Sequence, residues 1–161
     1  MPISSQLIQL LREQFALNWG GIHGAPHWAR VRENALRLSE STGANIKVVE
    51  AFAFLHDSQR QSDYQDPEHG WRAAEFARKL PASLLDLTES ELVLLTAACE
   101  GHSDGLMKAD VTVCTCWDAD RLDLGRVGII PDPARMCTEP ARDSAVIRWA
   151  YARSTRVRMI P

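Results

Sequence analysis

NIKVVEAFAFLHD, residues 45–57, is a helix written in its apolar spacing and closed by two metal-binding side chains. Asn45 suits an N-cap, and Ile46, Val49, Ala53 and His56 recur at the spacing of one helical face. The apolar run AFAFL at 51–55 predicts burial of nearly the whole circumference. Neighbouring helical residues point about 100° apart, so His56 and Asp57 reach one ion most easily at a helix end, where the backbone adapts. With further His and Asp spread along the chain, the doublet suggests a site assembled by folding rather than a local clip.

Working outward, Leu7, Ile8, Leu11 and Phe15 predict a first helix that stops at Gly20-Gly21. Pro26 suits N1 of a second, which carries His27 in its first turn, presents Val31, Ala35 and Leu38 on one face and ends at Gly43. Residues 58–66 are polar and aperiodic. Asp66-Pro67 reads as N-cap and N1 of a fourth helix, with His69 in its first turn and an end at Leu80-Pro81. Thr88 and Glu91 form a capping box, flanked by the apolar pair Leu87 and Leu92, and start a helix that runs through Leu95 and Ala98 to His102. Residues 111–116 are rich in β-branched side chains, yet no second strand exists for them to pair with. Residues 110–124 are therefore expected to be helical, ending near Gly125. Asp132-Pro133 begins a short helical turn, and residues 141–153, with Ala145, Val146 and Trp149 on one side, predict the last helix before a loose basic tail. The expectation is an all-α bundle of about six or seven helices in one domain over 1–161, with its motifs in 23–128 and a terminal helix and tail at 139–161.

Composition sets the class. The chain has 161 residues, 45% hydrophobic and 24% charged, with 9 Gly and 8 Pro, which is the make-up of a globular domain with a real core. A net charge of -3 argues against an extended nucleic-acid surface. Arg12 and Glu13 follow the short apolar start, so no export signal is expected, and no apolar run approaches the roughly 20 residues of a membrane span. A cytoplasmic protein with a small-molecule partner is the expectation. Cys99, Cys114, Cys116 and Cys137 lack zinc-knuckle spacing and are expected to be buried thiols.

Three motifs in order carry a resemblance: GAPHW at 24–28 followed by Arg30-Val31, FLHD at 54–57, and DADRLD at 118–123. Together they resemble the HD superfamily of metal-dependent phosphohydrolases. The resemblance implies the all-α HD bundle, metal ligands His27, His56, Asp57 and Asp120, and hydrolysis of a small phosphate ester, a nucleotide among the candidates. Asp120 is the aspartate that precedes Arg-Leu, which leaves Asp118 to support it. Relatives that bind two metals carry extra histidines between the doublet and the final Asp. His69 and His102 lie in that interval, but the spacing from Asp57 to His69 is short for the pattern. One ion is expected, with His69 and His102 contacting substrate or a bound water. Some phosphatase relatives place Glu three residues after the doublet's Asp, where this chain has Arg60.

Imidazole and carboxylate donors without thiolate suit a divalent ion such as Mn, Fe, Zn or Mg. The mechanism implied is attack of a metal-activated water on phosphorus. Asp57 would serve as ligand and proton acceptor, and His69 or His102 would protonate the leaving oxygen. Arg30, Arg60, Arg72 and Lys108 are the cations nearest the motifs and the candidate phosphate donors. Arg121 and Asp123 are expected to form a structural ion pair, His23 to be structural, and Trp28, Trp71, Trp117 and Trp149 to pack in the core. Arg153, Arg156 and Arg158 are read as a solvated end. Two other readings remain: a di-iron oxygenase-type enzyme, which needs His69 and His102 as ligands, and a non-catalytic metal-stabilised binding module.

Overall fold

Side-chain caps start four of the principal helices. Ser4, Asn45, Thr88 and Asp110 each accept a backbone N–H, from Leu7, Val48, Glu91 and Thr112, at 2.8–3.2 Å. The computed structural model describes residues 3–156; these form nine α-helices and two 3-10 turns, with no strand among the described residues. The helices are α1 (Ser5–Gln14), α2 (Ala25–Thr42), α3 (Ile46–Leu55), α4 (His69–Lys79), α5 (Ala82–Leu85), α6 (Glu89–Gly101), α7 (Val111–Arg121), α8 (Glu139–Arg142) and α9 (Ser144–Arg156). The 3-10 turns span Leu124–Val127 and Pro133–Arg135. Seven helices have ten residues or more, matching the expected number, and α5 and α8 are single turns that the periodicity did not separate. No helix of the described residues is long and apolar enough to cross a membrane.

The capping box is present in full: Thr88 Oγ1 accepts from Glu91 N, and Thr88 N donates to Glu91 Oε2 at 2.9 Å. Glu91 also accepts from Asn45 Nδ2 at 3.0 Å, tying the starts of α3 and α6 together. Thr88→Ala is expected to lower stability by about 1 kcal/mol, the usual cost of losing such a cap. In a thermal melt that is a fall of roughly 2–4 °C for a chain of this size.

Helix α3 is the axis of the bundle. It packs against α2, α6 and α7, and Val48, Val49, Ala51, Phe52, Ala53 and Leu55 are all buried. Helix α4 lies on α6, and α9 covers α2 and the turn at 124–127. Residues 111–116 are helical as expected, because α7 finds neighbouring helices rather than a strand to pair with. Helix α2 ends in Gly43 at φ 73°, the left-handed position that a β-carbon disfavours.

Several boundaries differ from expectation. Asp66-Pro67 forms a turn ahead of α4, which begins at His69 itself. The last helix breaks at Asp143, whose extended backbone and side-chain bond to Ala145 N make it the cap of α9. Arg153 sits inside α9 and pairs with Glu33 at 2.5 Å and Asn34 at 3.0 Å, so it is no part of a solvated end. Arg158 lies outside the described residues. Trp71 is 56% exposed rather than in the core, and Trp149 is half-buried with the guanidinium groups of Arg37 and Arg153 each 4.5 Å from its ring. Cys99, Cys114 and Cys116 are buried free thiols, while Cys137 is half-buried.

Candidate metal centre

The ends of five helices meet around the doublet. His27 comes from the first turn of α2, which Gly24 allows to start tightly: a β-carbon there would lie 2.2 Å from the carbonyl oxygen of Trp19. His56 caps the C-terminus of α3 and Asp57 follows it. His69 opens α4, His102 caps α6, and Asp120 lies in the last turn of α7.

Each imidazole is held by its Nδ1. In His56, Nδ1–H donates to the carbonyls of Phe52 and Ala53 at 3.0 and 3.1 Å. In His102 it donates to Cys99 O at 2.7 Å, and in His69 to Asp66 O at 2.5 Å. Carbonyls only accept, so the proton of each neutral ring resides on Nδ1 and the lone pair on Nε2. His27 Nδ1 meets Asp123 Oδ2 at 2.7 Å, which fixes the same tautomer.

The four Nε2 atoms converge in two pairs. His27 and His56 face each other at 3.0 Å, and His69 and His102 at 2.8 Å. Asp57 stands between the pairs with one oxygen for each. Its Oδ2 is 3.4 Å from His27 Nε2 and 3.6 Å from His56 Nε2; its Oδ1 is 3.2 Å from His69 Nε2 and 3.4 Å from His102 Nε2. Asp120 Oδ1 lies 3.2 Å from His27 Nε2 and 3.4 Å from His56 Nε2, and it is buried with no hydrogen-bond partner among the described residues.

This arrangement fits divalent ions. Two lone pairs facing each other repel unless a proton or a cation lies between them, and an orphaned buried carboxylate oxygen costs about 1–3 kcal/mol or more. His27, His56 and Asp57 form one group of donor atoms close enough to hold a metal, and Asp57, His69 and His102 a second. Burial and Arg126 push the His27 pKa down, but Asp120, Asp123 and Asp57 outweigh them and raise it to about 9. Burial raises the carboxyls of Asp57 and Asp120, and the surrounding histidines hold both well below the usual carboxylate range. The site is thus a negative, desolvated pocket that favours added positive charge.

Of the expected ligands, His27, His56, Asp57 and Asp120 are brought together. His69 and His102 lie directly against Asp57, with which they form a second group of donor atoms, and both also line the cavity. Asp118 does not support Asp120: it accepts from Cys137 N, Thr138 N and Thr138 Oγ1 at 2.7–2.8 Å and so pins the segment before α8. The expected Arg121–Asp123 pair does not form. Asp123 takes a two-pronged contact from Arg30 as well as the His27 bond, and Arg121 donates to the carbonyls of Arg135 and Leu106. His23 is buried beside Asp63 at 2.8 Å.

A cavity of about 750 Å³ opens onto the centre, lined by Asp57, His69, His102 and Asp120 on its floor, by Met107, Leu124, Ile129 and Ile130, and by Arg60, Arg121, Arg126 and Arg135. Among the expected phosphate donors only Arg60 lines it. Arg30 is spent on Asp123, Arg72 on Asp66 and the carbonyl of Gln59, and Lys108 is exposed away from the cavity wall. Asp123, Arg121 and Arg126 were missed as contributors. The signal for Asp123 was its place in DADRLD, but it was assigned to the wrong partner.

Asp123 orients His27 and neutralises Arg30. Asp123→Asn is expected to weaken metal binding about 10- to 100-fold, the usual effect of losing a ligand's outer partner. Competition with a chromogenic chelator measures it, and unchanged affinity would show that His27 needs no such support.

Comparison of the sequence with protein-family models and with curated proteins finds no match. Comparison of structures finds a crystal structure of a predicted HD superfamily hydrolase from an uncultured Thermotogales bacterium, 23% identical in sequence. The similarity covers 94% of this chain and 86% of that one, with a TM-score of 0.71. The likeness is one of fold, and it places this chain among helical bundles of the HD type, with a His/Asp cluster where its own helix ends converge.

Proposed function

We propose that this chain is a metal-dependent phosphohydrolase that uses two divalent ions to cleave a small phosphate ester. The observation that carries the reading is Asp57, whose two oxygens each face a separate pair of imidazole lone pairs. A carboxylate so placed is suited to bridge two ions, and His69 and His102 then serve as ligands, in place of the acid role expected from the sequence. Bound ions would lower the pKa of water and neutralise charge on phosphoryl oxygens. The chain's own residues do the rest. Asp57 and Asp120 stay ionised, Asp123 and the main-chain carbonyls keep all four imidazoles aimed inward, and the arginine-lined cavity offers positive charge to an anionic ester. A cytoplasmic location and a small phosphorylated partner remain part of this proposal.

The test is elemental analysis of protein purified without chelator, then a screen of nucleotides and sugar phosphates with Mn, Fe, Zn or Mg added. About two ions per chain and metal-dependent phosphate release are expected. Metal occupancy without release of phosphate from any ester would count against hydrolysis and favour a non-catalytic binding module. The same six donors favour one other reading, in which two irons activate oxygen. Oxygen uptake by the iron-loaded protein, with no hydrolysis under any metal, would select it.

A further inference from the structure

Met107, Ile129 and Ile130 line the cavity over the metal centre and are 39%, 51% and 68% exposed; Leu106 and Val127, close by in the chain, are exposed as well. Leaving aliphatic side chains in water is unfavourable, and an apolar patch at the mouth of a polar site marks a ligand-binding surface. The patch is fixed relative to the centre. Gly128, at φ 83°, turns the chain out of the 124–127 turn, and Ile129 N then donates to Leu124 O at 3.2 Å. Arg121, the neighbour of Asp120, donates through Nη2 to Leu106 O at 2.6 Å and through Nη1 to Arg135 O at 2.9 Å, so one side chain ties down the segments on both sides. Those bonds also limit polar recognition. Arg121 spends both Nη atoms on carbonyls, and Arg126 spends Nε on Ile22 O at 2.9 Å and Nη1 on Asp123 O at 3.0 Å. Asp132 caps the turn at 133–135 through Ala134 N at 2.9 Å. Among the described residues no Trp, Tyr, Phe, Asn or Gln lines the cavity, which gives a nucleobase little to stack on and a sugar no amide to bond. At about 750 Å³ the cavity has the size of a site for a drug-sized organic molecule, more than a phosphoryl group fills.

We propose that Met107, Ile129 and Ile130 form an apolar subsite for the organic group of the ester, and that the preferred substrates are phosphate esters of apolar alcohols rather than nucleotides or sugar phosphates. The reaction rests on the phosphohydrolase reading, while the subsite stands on the exposed side chains and the lining of the cavity. The two are separable by experiment. The full chain, loaded with Mn, is tested for calorimetric binding of ethyl-, butyl- and hexylphosphonate, whose carbon–phosphorus bond is not hydrolysed, and for phosphate release from ethyl, butyl and hexyl phosphate. The double variant I129S/I130S is compared with wild type, and V93S, which changes an exposed side chain on α6, is the control.

In wild type, phosphonate affinity and kcat/KM should each rise about two- to fourfold per methylene, and so at least about tenfold from ethyl to hexyl. The rise in kcat/KM should lie chiefly in KM, because the alkyl chain is held equally in the ground and transition states. Both substituted isoleucines are exposed, so I129S/I130S should keep wild-type metal content and melting temperature while its ethyl-to-hexyl rise shrinks to under about threefold. V93S should keep the full rise. A flat series in wild type would overturn the proposal whatever the variants do, and so would a full rise retained in I129S/I130S. A wild-type dimer that the double variant dissolves, with no dependence on chain length, would overturn it by assigning the patch to a contact between copies. Phosphonate affinity that climbs with chain length in a protein that cleaves no ester would uphold the subsite and sink the hydrolase reading. Hydrolysis indifferent to chain length, or fastest on nucleotides, would sink the subsite alone.

Discussion

Asp57→Ala is expected to empty the centre and abolish turnover. The carboxylate faces both imidazole pairs, so its loss removes a donor from each group at once, which no other single substitution here does. It also leaves four inward-facing imidazoles with, among the described residues, only Asp120 to face the Nε2 atoms of His27 and His56. Ion content should fall from about two per chain to well below one, and the rate on any substrate of the wild type by at least about 10³-fold, beyond the loss from removing one transition-state donor. Metal-dependent stabilisation should vanish with it: wild type is expected to gain melting temperature on loading, by mass action on the folded state, and the variant is not. Elemental analysis, a melt with and without chelator, and the hydrolysis assay together check this. Full occupancy and turnover in Asp57→Ala would overturn the whole assignment of the centre.

Gly70→Ala should produce a large steric effect at the contact of α4 with α6. A β-carbon at Gly70 would sit 2.4 Å from the carbonyl oxygen of Cys99 and 3.3 Å from both Glu100 O and His102 Nδ1. The obstacle is main chain, so no rotamer change relieves it, and α4 and α6 must move apart. Overpacking of this kind costs about 1–3 kcal/mol, a fall of roughly 2–12 °C in melting temperature at this chain length. The damage also reaches the site, because the same Cys99 carbonyl holds His102 Nδ1 and the two helices carry the His69–His102 pair. Occupancy should therefore drop toward one ion per chain, with the His27, His56 and Asp57 group retained. Gly20→Ala is the matched control: a β-carbon there meets nothing nearer than Asn18 Oδ1 at 3.8 Å, and the melt should hardly change. Equal melting temperatures for the two variants would contradict the close approach of α4 and α6.

The helices were legible because their causes are local. Asn45, Thr88 and Asp110 cap from within three residues of the groups they satisfy, and Gly43 supplies the left-handed stop where the apolar period ends. The α4 boundary was misplaced because Asp66-Pro67 carries a local signature that suits a turn as well as a helix start, and its neighbours choose the turn. The split between α8 and α9 was missed because one extended residue, Asp143, interrupts an otherwise continuous apolar period.

The candidate ligands were found as residue types in order; their grouping was not. His27 and Asp123 lie 96 residues apart, and His69 and His102 lie 33 apart, so their partners depend on how α2, α4, α6 and α7 rotate about α3. Arg30 and Arg60 are alike in sequence terms, each an arginine three residues beyond a ligand. Packing spends the first on Asp123 and sets the second in the cavity lining beside Asp57. Sequence by itself determined the helical class, most helix ends and the inventory of donors, because caps and periodicity act over a turn or two of chain. Only the tertiary structure decided that Asp57 serves two imidazole pairs, that Asp123 belongs to His27, and which arginines reach the cavity, because those contacts are set by the crossing of distant helices, which no local spacing encodes.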